Sequence, residues 1–173
     1  MVGSFIRLAA VTAFSLTLAA CSTFTGSSYE PVVNARGVPV DNLQCVPYAR
    51  QRSGIQIYGD AWTWWDKADG KYAKSQEPRL GAVMVMAGYA GPKRAHLAVV
   101  SGMDDASKIE VDHANWLNDG AVFTDDPVRD ISGNGDWSLV QVWNPRTNAW
   151  GTNRYAVLGF ILPAPDGDAM AMN

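Results

Sequence analysis

The stretch "HLAVVSGMDDASKIEVDHAN", residues 96–115, reads as two short strands joined by a turn: Val, Ile and alternating apolar positions on either side of an Asp- and Ser-rich centre. In its second half, Ile109, Val111, His113 and Asn115 fall on one face and Glu110 and Asp112 on the other, because side chains alternate along a strand. The apolar pair turns His113 and Asn115 toward the core and the acidic pair toward water. A turn symmetric about Asp104 and Asp105 sets His96 directly across from His113, and these are the chain's only two histidines. Directly paired residues lie about 4.5–5.5 Å apart at Cβ, within hydrogen-bonding reach for two imidazoles. A slip of one residue brings Asp112 opposite His96 instead, so the pairing rests on the register.

The same language continues outward. "GAVMVMAG" (81–88), "SLVQVWN" (138–144) and "YAVLGFIL" (155–162) are short, rich in β-branched and aromatic residues, and bounded by Gly, Asn or Asp. Upstream the pattern is helical. Asp41 or Asn42 can cap a helix over residues 43–53, with Pro47 in its first turn and Gly54 as its stop. A second helix is expected over "DAWTWWDKA" (60–68), capped by Asp60 and ended before Gly70. Helices first and strands after predict an α+β domain with an antiparallel, partly barrel-like sheet over residues 41–163.

The flanks differ in kind. Arg7 precedes "LAAVTAFSLTLAA" (8–20), an uncharged run too short to span a bilayer, which asks for roughly 20 apolar residues. It ends in "LAAC", Leu18 to Cys21, which resembles a bacterial lipoprotein lipobox; residues 1–20 are then a signal peptide and Cys21 the lipidation site. Ser22 after the cysteine fits sorting to an outer membrane, and the expected location is the cell envelope, on the periplasmic side, held by the N-terminal lipid. Residues 21–40 read as a flexible tether and 164–173 as a disordered tail. The chain of 173 residues is 47% hydrophobic and 18% charged, the composition of one globular domain. Loss of Arg7 leaves 13 of the 14 basic groups against 17 acidic ones, which disfavours a nucleic-acid partner.

Cys45 stands near the start of the first helix, and the only other cysteine is Cys21. A thiol attacks as thiolate, and both a helix N-terminus and a nearby histidine can lower its pKa from about 8.5. In a cysteine hydrolase the histidine takes the thiol proton and a third polar residue orients the imidazole. Cys45, His96 and His113 supply nucleophile, base and orienter, with Asn115 able to assist and Asp112 as the alternative orienter. Gln44 beside the nucleophile is an oxyanion-hole candidate. A zinc site on Cys45, His96 and His113 lacks a fourth ligand and any close-spaced ligand pair, so neither metal nor cofactor is expected. Trp62, Trp64, Trp65 and Trp116 either floor a groove or, for most of them, pack the core. Asp104, Asp105, Asp125, Asp126 and Asp136 lie in turn-like sequence and need no function.

The runs "QCVPYARQRSGI", "GDAWTWW", "PRLGAVMVM", "RAHLAVVSG" and "KIEVDHANW", which cover most of residues 42–116, resemble the CHAP family of cysteine, histidine-dependent amidohydrolases and peptidases, relatives of papain-like enzymes. The resemblance implies a cysteine at the start of the first helix, matching Cys45, and a histidine on the first long strand, matching His96. A polar residue on the next strand, often glutamate with an asparagine two positions on, falls on His113 and Asn115. The expected activity is cleavage of an amide bond in peptidoglycan, as an amidase or a stem-peptide endopeptidase, through an acyl-enzyme. The alternatives are a non-catalytic peptidoglycan-binding or scaffold lipoprotein, or an acyltransferase on the same fold.

Overall fold

The computed structural model describes residues 43–164; the expected signal, lipidation site, tether and tail fall outside them. Helix α1 runs Cys45–Ser53, a 3-10 turn Ala61–Thr63 leads into the short helix α2 at Trp64–Lys67, and eight strands follow: β1 Lys74–Ser75, β2 Val83–Ala87, β3 Ala95–Asp105, β4 Lys108–Ala114, β5 Val122–Asp130, β6 Leu139–Asn144, β7 Ala149–Trp150 and β8 Tyr155–Ile161. All pairings are antiparallel. The order β8-β2-β3-β4-β5-β6 closes on itself through a β6–β8 ladder, so six strands form a barrel, with β1 and β7 attached at its margins. The fold is α+β, as expected, with more β than α.

Closure explains the continuous apolar runs. In β2, Met84 and Met86 join Ala98, Val100, Ile109, Val111, Val128, Val140 and Phe160 in the barrel core, while Val83 and Val85 join Leu97, Val99, Ala49, Ile55 and Trp64 in a second core under the helices. A strand buried on both faces has no polar face to show, hence "VMVM". Burial of Trp64 and Leu97 on the helix side fixes α1 across the outside of β3, which sets where Cys45 can stand.

Local signals account for the helix ends. Gly54 takes a left-handed conformation at φ 76° and donates its N–H to the Arg50 carbonyl, the C-terminal stop foreseen from sequence. The N-terminus begins two residues later than expected, with Gln44 as a cap that makes no side-chain bond to the helix; Asp41 and Asn42 lie outside the described residues. The expected helix over 60–68 is split into the 3-10 turn and α2, and the Asp60 carboxylate makes no capping bond.

Two features of the sheet depart from expectation. The turn falls at Ala106 and Ser107 and not at Asp104 and Asp105, which end β3; this moves the register by four, bulges near Gly102 and Asp105 take back two, and the hairpin pairs Val99 with Asp112 and Val100 with Val111, two residues from the symmetric register. An even shift keeps every side chain on its face. The second departure is β5, where Asp125 and Asp126 beside Pro127 look like a turn. Here Asp112 opposes both Thr124 and Asp125, and Asp125 sits at φ 52°, so the strand bulges at this point. The extra residue resets the alternation, and both Phe123 and Asp126 are buried.

A further bulge, between β2 and β8, places Gly159 at φ 138°, where an added Cβ would come within 2.5 Å of the Trp65 ring and 2.7 Å of the Ser75 carbonyl. Gly159→Ala is expected to lower unfolding free energy by about 2 kcal/mol. Urea denaturation checks this, and a midpoint equal to wild type would show that Trp65 and β1 yield without cost.

Candidate active site

The β3–β4 ladder ends at Val99 and Asp112; beyond it β3 stays paired with β2 and β4 with β5, but not with each other. At this end α1 begins against β3. Cys45, Gln44 and Val46 from the helix start, Asp60 to Trp62 from the 3-10 turn, Tyr89, Lys93 and Arg94 from the β2–β3 loop, and His96 with Asn115 line one cleft of about 360 Å³.

Continuing the observed register puts Ala98, not His96, across from His113, so the two histidines meet on the diagonal. Their rings lie at 80° with His96 Nε2 and His113 Nδ1 3.2 Å apart. His113 is fully buried, and its Nε2 lies 3.1 Å from Asp126 Oδ2, also fully buried. Trp116 lies under the pair, stacked on His113 and edge-on to His96, and the Tyr89 hydroxyl donates to the Trp116 carbonyl. The imidazoles are thus held by aromatic walls as well as by each other.

Electrostatics at the thiol run against expectation. The sequence predicts a cysteine lowered by the helix end and a histidine. In the folded site burial pushes the Cys45 thiol up, and the amides of Leu97, Val46 and Cys45 itself, with Arg94, only oppose that. Burial first, and His113 second, pull the His96 imidazole well below its ordinary value. Both shifts favour the neutral pair, thiol and imidazole, over a resting thiolate–imidazolium.

The other expected residues sort by face. Asp112 points away from the histidines: its carboxylate accepts from Arg52 Nε of α1 at 2.6 Å and from the Asp125 N–H at 3.0 Å, so it anchors the helix and the β5 bulge. It does not serve as the alternative orienter. Asn115 lies just past β4 at φ 59°, and it reaches Gln44 instead of an imidazole. Its Nδ2 donates to Gln44 Oε1 at 3.0 Å and its Oδ1 accepts from Gly120 N–H. That bond turns the Gln44 amide nitrogen away from Asn115 as a donor. Trp64 is core, Trp62 borders the cleft, and Trp116 forms the floor beneath the histidines. Asp126, which the sequence reading assigned to a turn, is the residue it missed; the apolar pair Val122–Phe123 and Val128 around it was the available sign of a strand.

With the thiol raised, alkylation of Cys45 by iodoacetamide is expected to climb about tenfold per pH unit from pH 6 to 8. A rate already level at pH 6 would mean a resting thiolate.

No curated protein matches the chain. The family model described as the CHAP domain matches residues 34–115, a span that contains Cys45, His96 and His113. The segment that supplies the thiol and both imidazoles therefore belongs to the CHAP domain family, generally cysteine, histidine-dependent amidohydrolases.

Proposed function

We propose that this protein hydrolyses an amide bond of peptidoglycan at the cell envelope, anchored by lipid at Cys21. The observation that carries the reading is the shared cleft of Cys45 and His96, with His113 behind the imidazole, inside a CHAP domain.

Cys45 Sγ attacks the scissile carbonyl carbon while its proton passes to His96. Because Nε2 of His96 faces His113, Nδ1 is the nitrogen left for the thiol. Proton transfer accompanies attack, since neither partner is charged beforehand. The developing oxyanion is met by the Cys45 N–H at the open end of α1 and by the Gln44 amide nitrogen. The amine leaves with the proton from His96, giving a thioester. Water, deprotonated by the same nitrogen, attacks the thioester carbonyl and releases the carboxylic acid and the thiol.

The cleft also speaks to substrate. The chain is acidic, with a formal net charge of −3, yet Lys93 and Arg94 stand together on the cleft rim, suited to the carboxylates of a stem peptide. A neighbouring cavity of about 350 Å³ shares Tyr89 and Asn118 with the first and is lined by Trp116, Trp143, Tyr155 and Asn153. Aromatic faces beside neutral amides suit a sugar, so the glycan portion extends this way.

Incubation of peptidoglycan with the protein, followed by mass analysis of fragments, is expected to show new amine and carboxylate ends that vanish with Cys45→Ala and with His96→Ala. Fragments identical with and without Cys45 would sink the hydrolase reading. Lys93→Gln is expected to raise KM about tenfold, the ~1.4 kcal/mol of one charge-assisted contact, with kcat little changed. Steady-state kinetics on a soluble muropeptide separates the two.

A further inference from the structure

The barrel interior holds one carboxylate with no place in the steps above. Asp126 is fully buried on β5, its Oδ2 faces His113 Nε2, and its Oδ1 has no hydrogen-bond partner among the described residues. It also lies beyond residue 115, where the family match ends. A buried carboxylate kept in an apolar barrel without full satisfaction needs a reason.

We propose that Asp126 is a positioning residue that sets the proton order of both imidazoles, so that His96 presents a bare Nδ1 to the cleft. The inference rests on the hydrolase reading for its consequence, but not for its geometry. Two contacts in series, His96 Nε2 to His113 Nδ1 and His113 Nε2 to Asp126 Oδ2, can be filled by protons in two directions only. With Asp126 ionised, it accepts the His113 Nε2–H. His113 Nδ1 is then bare and accepts the His96 Nε2–H, which leaves the lone pair of His96 on Nδ1. With a proton donor at position 126 the chain runs backwards: His113 carries its proton on Nδ1, His96 Nε2 accepts it, and His96 Nδ1 bears hydrogen and no longer acts as a base.

The same arrangement serves the charged state. When His96 gains the thiol proton, its Nε2–H stays bonded to His113 and the positive charge is answered, one ring away, by the Asp126 carboxylate. Burial raises Asp126, and the bond to His113 pulls it back, so the contact itself favours the ionised form. The β5 bulge is part of the device. The Asp125 amide is bonded to Asp112, and through Arg52 that carboxylate is tied to the helix that carries Cys45.

Since the chain has only two histidines, tag-free full-length protein with 15N-labelled imidazoles gives two ring systems to assign. Long-range 1H–15N correlation at pH 8 is expected to show both rings as Nε2–H tautomers. In Asp126→Asn, whose amide can donate to His113 Nε2, both rings are expected to move to Nδ1–H, and peptidoglycan turnover to fall on the order of 10²–10³-fold. A wild-type spectrum with hydrogen on Nδ1 of either ring would overturn the proposal without recourse to any variant. So would Asp126→Asn with wild-type tautomers and wild-type turnover. Spectra in the expected order without any peptidoglycan cleavage would sink the hydrolase reading and leave the proton order supported.

Discussion

A carboxylate inside an apolar barrel is costly unless something positive or proton-donating meets it, and here the partner is His113. That contact organises its surroundings. His113 spends one ring nitrogen on Asp126 and the other on His96, so neither imidazole can rotate without breaking a buried bond. Trp116 closes the space beneath both rings, and Tyr89 ties Trp116 to the β2–β3 loop that carries Lys93 and Arg94. Residues from three strands and the β2–β3 loop are thus tied to one another.

The closed barrel is what makes such an arrangement workable. Water excluded by Met84, Val100, Val111, Val128 and their neighbours would otherwise screen the carboxylate and compete for each nitrogen. The site sits where the β3–β4 ladder stops, while β3 stays paired with β2 and β4 with β5, and there His96 from one strand meets His113 from the other. Desolvation has a cost at the other end of the chain, since it raises Cys45 and lowers His96. The consequence is a resting pair without charge, thiol beside neutral imidazole.

Much of this was legible in the order of residues. Period-2 alternation put His113 on the core face of β4, and it stayed there although the register differed by two, because an even shift keeps the face. The Gly54 stop and the runs of β2, β3, β6 and β8 followed from composition and punctuation. β5 did not. Asp125, Asp126 and Pro127 together read as a turn by local preference, and the pairing partners that overrode it, β4 and β6, lie elsewhere in the chain.

Sequence by itself determined which groups were available: one thiol at a helix start, two imidazoles on one hairpin, and apolar runs enough to bury strands on both faces. Tertiary structure decided which of them meet. Asp112 and Asp126 have the same side chain and sit on adjacent strands, yet one binds Arg52 and the other His113. The alternation of β4 sends Asp112 to the helix side, while a single extra residue in β5 turns Asp126 toward His113, an effect that exists only once β5 is paired with β4. The thiol's pKa follows the same logic, since a helix end lowers it locally while burial, a property of the whole packing, raises it more.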